Sequence, residues 1–319
     1  MSTVVPQRIP HRTVSDQVAR LTAIAADDLV DALGWLGRGW LRPIVRAIGH
    51  RAARGFAEEV AEFDRRVGSD GLVAASRALL TRHTRAVAVW GRGNLPVGQP
   101  ILFVANHPGL TDALALIVAI ADDSLILVAA DRPFFRETPN VRDSLITVPD
   151  DELERLITFR AILRSLANGR SVATFPTGAI EPDPLLHAGA FAAVTGWTRQ
   201  LAAVRRRAPD LAIVPVAIGG VLTNRALRHP LARVQRSRTQ RERAAAMLQV
   251  VLRPLRTNEV RVAFGRPLRE PNAPSLADAY RSLGVALGTD VGWTTVLDGS
   301  NHPATSRWWT TRPRRPSPS

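Results

Sequence analysis

The chain contains no cysteine, and its 42 basic residues include no lysine: every one is arginine. Without cysteine there is no disulfide, no thiolate metal centre and no cysteine nucleophile. Seven histidines are scattered over 319 residues, and none stands in a His-Glu-x-x-His spacing that would hold a metal. No Gly-x-Ser-x-Gly elbow occurs, which counts against a serine hydrolase. No run of about 18 apolar residues exists, so a spanning helix is not expected. The longest candidate, Leu211 to Asn224, is interrupted by Pro215 and by the Gly219-Gly220 pair and reads as a buried strand and turn. Met1 to Arg12 carries Pro and Arg but no apolar stretch, so no secretory signal is expected.

What is present bounds the rest. A hydrophobic content of 45% suffices for a core, and the length fits one large domain, or one domain with an appendage. The formal net charge of +14 points to anionic partners: phosphorylated lipid, a membrane surface, a coenzyme or nucleic acid. Arg205-Arg206-Arg207 and the stretch from Arg225 to Arg256, with nine arginines against the single acid Glu242, make up the basic surface. A solvated face is the default for such a run. No nucleic-acid motif accompanies it, so nucleic acid is not expected as a partner.

Along the chain, residues 14 to 84 have the pattern of helix. Leu29, Leu33, Leu36, Trp40, Ile44 and Ile48 fall at gaps of three and four and mark one helical face, with Pro43 as a point of kinking. That face packs on the rest of the protein, or lies in a membrane interface with Trp35 and Trp40 at headgroup depth. From Ala86 the pattern alternates between strand and helix. Strands are expected at Ala86–Trp90, Ile101–Ala105, Leu125–Ala129, Leu145–Val148, Ser171–Phe175, Ile213–Ile218 and Glu259–Phe264, and helices up to Asn168 and over Phe191–Arg207. The fold class is therefore α/β: a mixed, largely parallel sheet flanked by helices, with an N-terminal helical segment. The division expected is a helical segment over 1–84, a catalytic domain over 85–290 and a disordered tail over 291–319, where Trp308-Trp309 is the one unusual feature.

The most informative stretch is Asn106-His107-Pro108-Gly109-Leu110-Thr111-Asp112. It follows an apolar strand and precedes an apolar helix-like run, Ala113 to Ala121. A histidine at a strand mouth and a carboxylate in the first turn of the next helix can face each other. One ring nitrogen then holds the carboxylate while the other takes a proton from an alcohol. A lone His-x4-Asp arises easily by chance; Asn301-His302-Pro303 is a decoy, with Arg307 where the acid would stand. Three further blocks follow the first in order: Arg132-Pro133-Phe134-Phe135-Arg136, Phe175-Pro176-Thr177-Gly178, and Ile213-Val214-Pro215-Val216.

In this ordered set the chain resembles the glycerolipid acyltransferase superfamily, whose best-known members are lysophosphatidic acid acyltransferases. The likeness spans about Ala86 to Leu268. It implies O-acyl transfer from acyl-CoA or acyl carrier protein, as co-substrate rather than cofactor, to a lipid hydroxyl, with no metal and no other cofactor. His107 would be the general base and Asp112 its orienting acid; Arg136 would bind an acceptor phosphate. Phe175, Pro176, Thr177, Gly178 and Glu181 would border the acceptor. The implied partners are an acyl donor, a lipid acceptor and an anionic membrane surface. The implied location is cytoplasmic, peripheral on the inner face of the plasma membrane.

One departure stands out. The resemblance calls for Glu where this chain has Thr177, which keeps a hydrogen-bonding group but loses charge and reach. Either Glu181 reaches back into the site, or the pocket is reshaped for another acceptor. Pro182 and Pro184 stiffen the chain around Glu181 and favour the second account. An acyltransferase for a non-glycerolipid acceptor stays open for that reason, as does a non-catalytic Arg-rich lipid- or nucleic-acid-binding protein on the same scaffold.

Overall fold

Apolar four- to eight-residue runs, bounded by turns, set the centre of the molecule. In the computed structural model, which describes residues 13–32, 42–149, 155–268 and 275–299, they form one eight-stranded sheet. Its strands are β1 (Ala86–Trp90), β2 (Ile101–Ala105), β3 (Ile126–Ala130), β4 (Leu145–Val148), β5 (Val172–Thr174), β6 (Ala212–Gly219), β7 (Glu259–Phe264) and β8 (Thr294–Asp298). They lie side by side in the order β4-β3-β5-β2-β6-β7-β1-β8. β2 to β6 all run one way. β7 is antiparallel to β6 and parallel to β1, and β8 closes the edge antiparallel to β1. The sheet is thus mixed and largely parallel, as the alternating pattern implies.

Central strands buried on both faces need apolar residues at every position. β2 meets that requirement. Ile101, Phe103 and Ala105 enter one core with α3 (Leu72–His83) and α4 (Asp112–Ile120), together with Phe63 of α2 (Arg42–Asp70). Leu102 and Val104 enter the opposite core with α7 (Arg155–Ala167), α8 (Val194–Arg207) and α12 (Leu276–Leu287). Alternation with period two therefore feeds two helical layers from one strand. Tyr280 of α12, fully buried, donates its hydroxyl to Val104 O at 2.5 Å and also contacts Val216 O at 3.1 Å, tying that layer to β2 and β6. Each such bond contributes roughly 1 kcal/mol net.

Pro215, an awkward residue for a central strand, is accommodated by a gap in the neighbouring strand. Its carbonyl accepts from Gly265 N at 2.9 Å, so its missing N–H would also have faced β7. There the regular β6–β7 pairing stops at Val216 and Phe264, and beyond the Gly265–Pro215 bond the strands meet again between Ile213 and Leu268. The ladder to β2 needs nothing from that nitrogen.

Three expectations need correction. The periodic stretch from Leu29 to Ile48 is not one helix. α1 (Val14–Ala32) ends inside it and α2 begins at Arg42, with Gly49 of α2 lying directly against Leu29. The chain has turned back, and Pro43 sits in the first turn of α2, where a missing N–H costs nothing, rather than kinking a helix. Trp35 and Trp40 lie outside the described residues. The expected tail over 291–319 is also too long: 294–298 forms β8, whose Leu297 is buried against β1. Alternation there is weak, and one buried Leu gives little signal. Trp308-Trp309 falls outside the described residues. No described helix is long and apolar enough to cross a membrane.

The remaining helices are short pieces that position loops: α5 (Pro133–Arg136), α6 (Pro139–Arg142), α9 (Asn224–Leu227) and α10 (Pro230–Arg233), followed by the longer α11 (Arg238–Val251).

Candidate active site

In a sheet of this kind, loops leaving the C-terminal ends of neighbouring parallel strands gather along one edge. β2, β5 and β6 are such neighbours, and their loops carry His107, Phe175 to Gly178, and Gly220 to Leu222. Asn106 prolongs the pairing of β2 with β6 by side chain. Its amide donates to Ile218 O at 2.8 Å and accepts from Ile218 N at 2.7 Å, so the chain is held rigidly up to the residue before His107.

His107 Nδ1 stands 2.7 Å from Asp112 Oδ2. Asp112, the first residue of α4, is fully buried, whereas the imidazole keeps about a quarter of its surface exposed, at 24%. The carboxylate is fixed from three sides: Oδ2 also accepts from Gly109 N at 3.1 Å, and Oδ1 from Ala113 N at 2.8 Å. Gly109 is the residue that permits this. A Cβ there would lie 2.5 Å from Val221 Cγ1, so any other residue would force Val221 or the loop to move. With Nδ1 engaged, Nε2 is the ring nitrogen available to a substrate. The Phe175 ring packs on the imidazole at 4.8 Å between centroids. Burial pushes the His107 pKa down. The negative charge of Asp112, its hydrogen bond and the charge of Glu181 outweigh that, and the net direction is upward from 6.5.

Glu181 is where the expectation fails. Pro182 and Pro184 do not hold it away. Its carboxylate accepts from the His107 backbone N–H at 3.0 Å, and its own N–H donates to His107 O at 2.7 Å. The side chain is buried, with 5% exposure. Burial raises its pKa; the His107 N–H, the His107 ring and the Thr177 hydroxyl pull the other way without cancelling it. The prolines instead stiffen the frame that delivers this carboxylate.

Thr177 itself is exposed, its hydroxyl 3.1 Å from Ala179 O. It belongs to a tight turn closed by Gly178 N to Phe175 O at 3.0 Å, in which Gly178 adopts φ +63° and a Cβ would meet nothing within 4 Å. Phe175 and Pro176 are half-buried, and Thr177 to Ala179 form an open rim beside the imidazole. The His107 dyad, Phe175, Thr177 and Glu181 are therefore one cluster.

Arg136 is not joined to it by any hydrogen bond or ion pair among the described residues. It ends α5, after β3, which lies two strands from β2 on the same edge. Its side chain is 61% exposed and pairs with Asp131 at 2.7 Å, which raises the guanidinium pKa and lowers that of Asp131. Phe134 stacks on Phe56 of α2 at 6.1 Å, and Phe135 packs against the core, so the aromatic pair anchors α5.

One residue of the site escapes a sequence reading. Asp183, fully buried, accepts from Leu185 N, Gly220 N, Val221 N and Leu222 N at 2.7 to 3.1 Å. It thereby pins the segment that packs on Gly109. Burial still drives its pKa upward against those four bonds. The only hints in sequence are its Pro-Asp-Pro frame and the Gly219-Gly220 pair, and neither says which backbone it caps. Two clefts, of about 300 Å³ at Gly91 and Gly292 and about 380 Å³ between α1 and α2, do not include His107.

No family model matches the chain, and no curated protein matches it. Among solved structures it is similar to the crystal structure of the 1-acyl-sn-glycerophosphate (LPA) acyltransferase PlsC from Thermotoga maritima, at 15% identity over 86% of this chain and 93% of that one, with a TM-score of 0.33. A likeness of that size leaves the chemistry to be argued from this chain's own residues.

Proposed function

We propose that this protein is an O-acyltransferase that moves an acyl group from a thioester donor, acyl-CoA or acyl carrier protein, to a hydroxyl of a lipid acceptor. One observation carries the reading: an imidazole held at Nδ1 by a fully buried, triply anchored carboxylate, its ring still 24% exposed, at the C-terminal edge of parallel strands. Asp112 selects the tautomer with the proton on Nδ1 and stabilises the imidazolium once formed. Nε2 takes the hydroxyl proton as the oxygen attacks the thioester carbonyl. The carbon–sulfur bond then breaks, and the imidazolium returns the proton to the departing thiolate. The balance needs no enzyme nucleophile. The four ordered sequence blocks support the same chemistry.

Arg136 is the acceptor-phosphate ligand only if it leaves Asp131, with which it is paired across exposed surface; such pairs are weak and exchange readily. Thr177 brings no carboxylate to the rim, and Glu181, four residues on, brings one to His107 instead, so the acceptor panel covers lysophosphatidic acid and other hydroxyls alike. The arginines of α9 to α11 favour an anionic membrane as the surface from which the acceptor comes, with the protein peripheral to it. The test is a panel of hydroxyl acceptors (lysophosphatidic acid, other lysophospholipids and neutral lipid alcohols) offered with an acyl-CoA. Thioester turnover dependent on one of them is expected. Thioester stability with every acceptor would refute the reading.

A further inference from the structure

A carboxylate that is 5% exposed beside another buried carboxylate is costly unless something holds it. Among the described residues no arginine forms an ion pair with Glu181. Its oxygen takes the His107 N–H at 3.0 Å, and its backbone N–H returns to His107 O at 2.7 Å, so the two residues grip each other like paired strands. The groups that bear on this pair are Asp112 from α4, the Thr177 hydroxyl from the turn after β5, and the buried Tyr280 hydroxyl from α12. All of these are acids or neutral donors; the positive charge in the cluster is the one His107 acquires.

We infer that Glu181 is a positioning residue for His107, fixing the backbone of the base on both sides and placing a second negative charge beside the imidazole. The charge strengthens the base, and the two bonds to the His107 main chain hold the loop that carries the ring. This assignment rests on the reading of His107 as general base but is separable from it, because it concerns the imidazole and not the acyl group.

The full-length protein and the variants Glu181→Gln and Glu181→Asp are compared. Gln keeps an oxygen for the His107 N–H, leaves the Glu181 backbone bond untouched and can still meet the Thr177 hydroxyl through its NH2, so loss of charge is the main change. The midpoint of the His107 ring titration, followed by NMR at Cε1–H and assigned by its loss in His107→Ala, should move to lower pH in Glu181→Gln. This holds whether or not the chain transfers acyl groups. In turnover, the acid limb of kcat/KM should move the same way while its plateau falls roughly 10-fold, with KM for the acceptor unchanged. Glu181→Asp keeps the charge at shorter reach, and its titration should fall between those of wild type and Glu181→Gln. An unchanged His107 midpoint in folded Glu181→Gln overturns the assignment. So does a raised acceptor KM with kcat and the acid limb intact, which would make Glu181 a substrate-binding residue. If Glu181→Gln does not fold, Glu181→Asp decides: a lowered midpoint supports the role and an unchanged one refutes it.

Discussion

Replacing Asp112 by Asn changes one heavy atom and dismantles a defined set of bonds. The carboxylate oxygens accept from His107 Nδ1, Gly109 N and Ala113 N. An amide offers one oxygen and one NH2 in the same space. If the oxygen stays toward His107 and Gly109, the NH2 meets Ala113 N–H, donor against donor. If it turns, the NH2 meets Gly109 N–H, and the imidazole must switch its proton to Nε2 to accept at Nδ1, which disables the base. Either way a fully buried donor is left unpaired, at a cost of about 1–3 kcal/mol. In a chain of this size that lowers Tm by only a few degrees. The loss in kcat should be far larger, on the order of 10³-fold or more, since both tautomer and imidazolium stabilisation go together. The assay is thioester cleavage followed with a thiol-reactive chromophore, and the cysteine-free protein adds no background. Donor KM should change little. A folded Asp112→Asn protein with kcat within about threefold of wild type would refute this account of the dyad.

Elsewhere, a buried trio offers a test of the fold rather than the chemistry. Glu59 accepts from His83 Nε2 at 2.8 Å and faces the buried Arg256 guanidinium at 3.5 Å. Glu59→Gln strands that guanidinium and should cost about 3–5 kcal/mol in urea unfolding; a loss under 1 kcal/mol would mean the pair is solvated. His83 is depressed below 6.5, chiefly by burial. The unfolded chain therefore binds its proton first, and stability should fall as pH drops from 6.5 through the folded value, less so in His83→Gln. His107, raised by Asp112 and Glu181, has the opposite sign: what it adds is lost as pH rises through its folded value. With eight arginines exposed across α9 to α11 and the loops beside them, the protein should sediment with anionic vesicles at low salt and release as salt rises; equal binding to neutral vesicles would remove the electrostatic contribution.

Much of this was legible in the sequence, for identifiable reasons. β1, β2, β4 and β7 fall at their expected bounds because each is an apolar or alternating run between turns. β8 is missed because Thr294 to Asp298 buries one side chain deeply and leaves three exposed. The α1–α2 reversal is missed because gaps of three and four look the same on one helix as on two that pack together. At the site, the meeting of His107 and Asp112 follows from strand-loop-helix order. The place of Glu181 does not, since two flanking prolines stiffen a chain without saying in which direction it points. Asp183 is invisible for a related reason: its four partners are backbone N–H groups, which leave no mark in sequence.

The central claim is that His107 takes the proton from an acceptor hydroxyl. The direct measurement is acylated product, quantified by mass spectrometry, from acyl-CoA and the acceptor that wild type prefers, with His107→Ala alongside and its fold checked by circular dichroism. His107→Ala should form product roughly 100-fold more slowly or worse while remaining folded. Product formed by folded His107→Ala at near wild-type rate would contradict the mechanism.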